Sequence, residues 1–157
     1  MPQENESGTA PMATLSVADV AELERCRGSV NLDWVTDLAP AVAEALVELG
    51  ADLSLNGLNS ISAELAAELA DIKGTISLNG LASISPDAAW ALSPHFYDLE
   101  LNGLAEITKA TAIGLAEHKG QLSLNGLKRI DPDVAKALAA HRDVLKLNGL
   151  SELSAAA

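Results

Sequence analysis

Histidine, cysteine and paired carboxylates are where chemistry in a small protein is easiest to find, and this 157-residue chain holds three histidines and one cysteine. His95, His118 and His141 stand 23 residues apart. Such a column serves a metal only if the fold brings the ring nitrogens within about 2 Å of one ion. Earlier segments carry Cys26, Leu49 and Ile72 in the same slot. The slot is therefore apolar in kind, and the histidines are expected half-buried at a helix end, as packing groups. A protonated ring there would also favour the carbonyl end of the helix. Cys26 falls on the inward side of the first expected helix and reads as a small apolar residue; a lone cysteine forms no internal disulfide. Carboxylates recur on exposed helix faces, as with Glu44 and Glu48 or Glu64, Glu68 and Asp71, where they favour solubility. The patterns G-x-S-x-G, H-E-x-x-H, G-x-x-x-x-G-K-S/T and G-x-G-x-x-G after a strand do not occur. No catalytic residue, metal ligand or cofactor is expected, and the chain does not read as an enzyme.

Composition narrows the partners. Twenty-two Asp and Glu against ten Lys and Arg give a formal net charge of −12, which argues against nucleic acid or an anionic membrane. Apolar residues make up 48% of the chain, enough for a packed core. No run approaches the roughly eighteen apolar residues of a membrane span. The opening MPQENESGTAP lacks the basic-then-apolar order of a secretory signal. A cytoplasmic protein is the expectation.

Internal repetition organises everything else. Leu-Asn-Gly-Leu begins at Leu55, Leu78, Leu101, Leu124 and Leu147, always 23 residues apart. One step back, Leu32-Asp33-Trp34-Val35 is a degenerate copy, and before it only the second half of the unit persists, from Leu15 to Ser29. Each unit opens apolar-x-Leu, as in Leu53-Ser54-Leu55, the alternation of a short strand with one buried and one wet face. Asn-Gly follows, expected to supply left-handed or turn geometry. Leu58, Leu81, Leu104 and Leu127 then anchor the chain, with Ile61, Ile84, Ile107 and Ile130 after them.

A helix start comes next, with Ser16, Ser62, Ser85, Thr108 or Asp131 in the capping slot. Pro40, Pro86 and Pro132 take the following position in alternate units, where a proline costs no backbone bond. Within the helices, Ala43, Ala66, Ala89, Ala112 and Ala135 precede Leu46, Leu69, Leu92, Leu115 and Leu138 by three residues. That pair makes a narrow apolar stripe whose small member lets the helix sit close to a sheet. Gly28, Gly74 and Gly120 mark the return loop. One unit alone encloses almost no interior, so units must stack with their strands parallel. Strands roughly 4.8 Å apart beside helices about 8–10 Å apart bend the stack, with strands on the concave face.

These columns resemble a leucine-rich repeat protein. The spacing L-x-L-x-G-L-x-x-I-S/T is most similar to the cysteine-containing subclass found behind F-box domains, with leucine in place of cysteine. The resemblance covers about residues 15–157. It implies an α/β fold: a short right-handed β-α superhelix with its parallel sheet concave and its short helices convex. Repeats start near 30, 53, 76, 99 and 122, with a partial one at 145. A capping helix is expected over 16–27, with Trp34 packed beneath it, and residues 1–14 are expected to form a disordered tail. No F-box adaptor role is carried over.

Two surfaces are candidate protein-binding sites. Ser54, Ser77, Asp98, Glu100, Ser123 and Lys146 should line the concave face, which lacks the Trp, Tyr or Arg anchors that carry most interfaces. Beside them Asn56, Asn79, Asn102, Asn125 and Asn148 admit two readings: a ladder that stabilises the turns, or polar groups for a ligand. On the convex side Trp90 and Ile113 share one position of consecutive helices, and Phe96 and Tyr97 follow in an atypical loop. They either fill a loop defect or form a docking patch. Leu145 to Leu150 should form a last strand. Its unpaired edge, with Leu147, Leu150 and Leu153 facing water, predicts self-association. The function expected is a non-catalytic scaffold for protein–protein interaction; the alternative is a structural or truncated repeat array with no dedicated ligand.

Overall fold

In a computed structural model, residues 14–26 and 28–153 are described. Of the expected tail, residues 1–13 lie outside that range, while Thr14 forms an isolated parallel bridge with Asp37.

Each apolar-x-Leu segment becomes a strand of two or three residues, and each capped segment becomes a helix of two turns. In chain order these are α1 (Val17–Leu23), β1 (Ser29–Asn31), α2 (Pro40–Val47), β2 (Asp52–Ser54), α3 (Ala63–Ala70), β3 (Ile76–Ser77) and α4 (Pro86–Leu92). Then come β4 (Leu99–Glu100), α5 (Lys109–Ala116), β5 (Leu122–Ser123), β6 (Arg129–Ile130), α6 (Pro132–Leu138), β7 (Leu145–Lys146) and β8 (Glu152–Leu153). Six strands form one parallel sheet in the order β1-β2-β3-β4-β5-β7. Its register joins Leu53 to Ile76, Ile76 to Leu99, Leu99 to Leu122 and Leu122 to Leu145. The chain is thus α/β, with a helix between successive strands of the main sheet. The strand pair β6–β8 was not foreseen. It joins Arg129 to Glu152 and Ile130 to Leu153: Ile130 stands in the anchor slot, and Leu153 lies past the expected last strand, Leu145 to Leu150, of which only Leu145–Lys146 is strand.

The capping slots behave as their side chains dictate. Ser62, Ser85, Thr108 and Asp131 each accept the N–H three residues on, at 2.8 to 3.2 Å. Ser16 forms a reciprocal capping box with Asp19. Among the described helices, α2 alone starts without a side-chain cap, at Ala39, with Pro40 in its first turn. Ala43, Ala66, Ala89 and Ala112 are wholly buried, as are Leu46, Leu69, Leu92 and Leu115. They face the inward leucines of the strands in one continuous core.

Four expectations are corrected. The Asn-Gly corners contain no left-handed residue; among the described residues positive φ occurs only at Gly28 (111°) and Gly50 (57°). The corner glycines are required by contact instead. A Cβ on Gly57 would strike the Asp33 carbonyl oxygen, and on Gly80, Gly103, Gly126 or Gly149 it would strike that of Asn56, Asn79, Asn102 or Asn125. Trp34 does not pack beneath α1 but is 51% exposed. It stands 23 residues before Gly57, in the glycine slot, and among the described residues no strand lies ahead of β1 to collide with it. Finally, α1 ends at Leu23 rather than near residue 27: the Cys26 N–H folds back on the Leu23 carbonyl at 2.7 Å. Only Val20 of α1 is fully buried, so little holds a longer helix to the core. Cys26 is exposed and lies past the helix. No helix among the described residues is long and apolar enough to cross a membrane.

Candidate binding surfaces

The asparagine corners bond to one another. Asn79 N–H donates to Asn56 Oδ1 at 2.8 Å, and the same contact recurs at 2.9 Å from Asn102 to Asn79, Asn125 to Asn102 and Asn148 to Asn125. Each side-chain oxygen therefore satisfies a backbone donor in the next unit, a stabilising use of an otherwise orphaned N–H. The ladder starts on a residue that sequence reading passed over. Asp33 Oδ1 accepts from the Ser54 hydroxyl at 2.6 Å and from Asn56 N–H at 2.9 Å. These bonds, the hydroxyl first, hold its carboxyl below the usual range. The signal was present: Asp33 occupies the asparagine slot one period before Asn56.

The expected sheet-face residues are brought into one row, but much of their polarity is used internally. Asn56 and Asn79 amides donate to Ser54 and Ser77 hydroxyls at 2.9 and 2.8 Å. Ser77 Oγ also lies 3.0 Å from Glu100 Oε2, which takes a further bond from Asn79 Nδ2 at 3.2 Å. Asp98 is engaged by Gln121 Nε2 at 3.3 Å. Ser123, expected exposed, is only 3% exposed; the register sets it between Glu100 and Lys146, the two longest side chains of the row. Those two form no ion pair among the described residues.

The helix side differs. Trp90 on α4 and Ile113 on α5 are 48% and 40% exposed, on neighbouring packed helices. Phe96 and Tyr97, in the loop after α4, are 67% and 46% exposed. The loop is therefore not filled by them, and the side chain that enters it is His95, wholly buried. The Lys119 ammonium sits 4.8 Å from the centre of the Phe96 ring, a cation–π contact.

The histidines are deeper than half-buried. His95 and His118 are 0% and 2% exposed, and only His141 remains intermediate. Their rings stack in register, with centroids 5.6 and 6.2 Å apart and planes 16° and 2° from parallel. His95 Nδ1 approaches the Ala70 carbonyl oxygen at 3.3 Å. The other five ring nitrogens have no hydrogen-bond partner among the described residues. Burial pushes His95 down, opposed by the Ala70 carbonyl and Asp98. Burial, then the neighbouring imidazoles, pushes His118 down to about 4. A cleft of about 420 Å³ lies beside His118, edged by Glu117, Lys119, Arg142 and Asp143. No group of three His, Cys, Asp or Glu among the described residues is placed to hold a metal ion.

No protein-family model matches this chain, and no curated protein matches it.

Proposed function

We propose that the chain is a leucine-rich repeat solenoid that serves as a non-catalytic protein-interaction module, docking partners on its helix side at Trp90, Phe96, Tyr97 and Ile113. The parallel register of 23 residues between successive strands supports the solenoid reading. One contrast carries the interaction reading. Large apolar side chains stay exposed on adjacent helices, whereas the polar groups of the sheet face bond largely to each other. Exposed aromatics of that size are the anchors that protein interfaces favour. A pull-down with the wild-type chain against Trp90→Ala/Phe96→Ala tests it: partners lost from the variant support the patch, and an unchanged set of partners sinks it.

Self-association through the edge of β7 is a second reading. It is favoured by Leu145, Leu147 and Leu150, each partly exposed, against their buried equivalents Leu122, Leu124 and Leu127. Sedimentation showing a strict monomer at high concentration would remove it.

A further inference from the structure

We infer that the patch around Trp90 receives a Lys- or Arg-rich protein segment that brings an apolar side chain to the Trp90–Ile113 stripe. The inference rests on the interaction-module reading above and assigns its partner's chemistry. The register sets Glu44, Ala67, Trp90, Ile113 and Lys136 at one outward position of α2 to α6. The stripe is apolar at its centre. Toward α3 its border is acidic: Asp87 lies one turn before Trp90, while Glu64 and Asp71 flank Ala67, all three exposed. No Lys, Arg or His occurs from Gly28 to Ile72, and the one cation on this border is the exposed Lys73, which takes the Phe96 slot one unit earlier. None of these carboxylates makes an ion pair among the described residues.

On the opposite border two cations are already engaged by the chain itself. Lys109 reaches Asp133 at 3.5 Å, and Lys119 covers the Phe96 ring. That second contact also presents Phe96 as a platform that takes an ammonium. On its α3 side the patch thus carries three exposed carboxylates, Glu64, Asp71 and Asp87, against Lys73 alone, beside exposed aromatic surface. A basic segment satisfies both features, since complementary potentials raise the encounter rate and suppress wrong partners. A second copy docking face to face would set Glu64, Asp71 and Asp87 against themselves. An anionic membrane or nucleic acid meets the same repulsion.

The test is an NMR titration of the full chain with a short amphipathic peptide of Lys and Leu, beside the same peptide with Glu for Lys. Saturable shifts centred on Trp90 and Ile113 are expected with the Lys peptide, weakening as salt rises. Glu64→Lys/Asp87→Lys should weaken binding about tenfold or more, because like charges then meet across the contact. Glu22→Lys/Glu24→Lys changes net charge equally at the remote end of α1 and should leave binding within about twofold. Equal weakening by both pairs, equal binding of the Glu peptide, or no saturable shift at Trp90 overturns the inference. So do shifts at the patch that appear on concentrating the chain alone. If the pull-down loses its partners in Trp90→Ala/Phe96→Ala while the Lys peptide fails, the module stands and the charge assignment falls.

Discussion

Two columns run across this molecule at the same 23-residue interval and obey opposite rules. At the corners, asparagine oxygens meet backbone donors in rung after rung. At the helix ends, three imidazoles lie stacked while five of their ring nitrogens bond to nothing among the described residues. Both columns repeat one residue type in each successive unit, yet only the first turns polarity into cohesion. A buried polar group is an asset when its partner is delivered by the fold and a cost when it is not. The corners sit where backbone passes close beneath them; the histidines took over a slot built for Leu49 and Ile72.

The largest expected effect breaks the first column. Gly80→Ala would drive a Cβ into the Asn56 carbonyl oxygen, backbone of the preceding segment, and should cost about 4 kcal/mol or unfold the chain outright. Gly50, at φ 57° with open space where a Cβ would go, should lose only about 1 kcal/mol on the same change. Urea denaturation of the two variants measures the gap, and similar losses would refute close approach as the reason for the corner glycines.

Acid should expose the second column. His118 titrates at about 4 when folded against 6.5 unfolded, so the unfolded chain binds more protons between those values. Stability is then complete above about pH 6.5 and falls toward pH 4, by about 3 kcal/mol from His118 alone. His95 is shifted the same way. His118→Leu restores the residue type of Leu49 and should flatten the curve across that window. An unaltered slope in the variant would mean the stack does not govern acid sensitivity.

A smaller effect sharpens the contrast. Asn102→Ala leaves the Asn125 N–H without its acceptor, and no hydrogen bond to a titratable side chain is lost with it. The expected cost is about 2 kcal/mol, with no change in pH dependence between 6.5 and 4. A loss that varied with pH in that window would mean that the corners and the imidazole stack are energetically coupled.

Much of the fold was legible because its determinants are periodic. Leu53, Ile76, Leu99 and Leu122 repeat at one interval, and the caps Ser62, Ser85, Thr108 and Asp131 need only their nearest N–H groups. The exposed Trp90 and Ile113 followed from helical phase. What escaped depended on neighbours outside the unit. Whether a corner glycine serves φ or clearance is decided by a carbonyl in the preceding segment. The depth of His95 and His118 reflects packing of one return loop on the next, and buried Ser123 lies in the row between Glu100 and Lys146, on two other strands. Asp33 was overlooked as the first rung because a carboxylate there looks like a degenerate residue rather than a stronger acceptor.

Trp34 bears on how copies of this chain would assemble. An indole stands in the slot that every later corner keeps as glycine beneath the preceding carbonyl, where a neighbouring molecule's final strand would have to be laid ahead of β1. Tail-to-head addition, the arrangement that runs on into fibres, would require that indole to move aside.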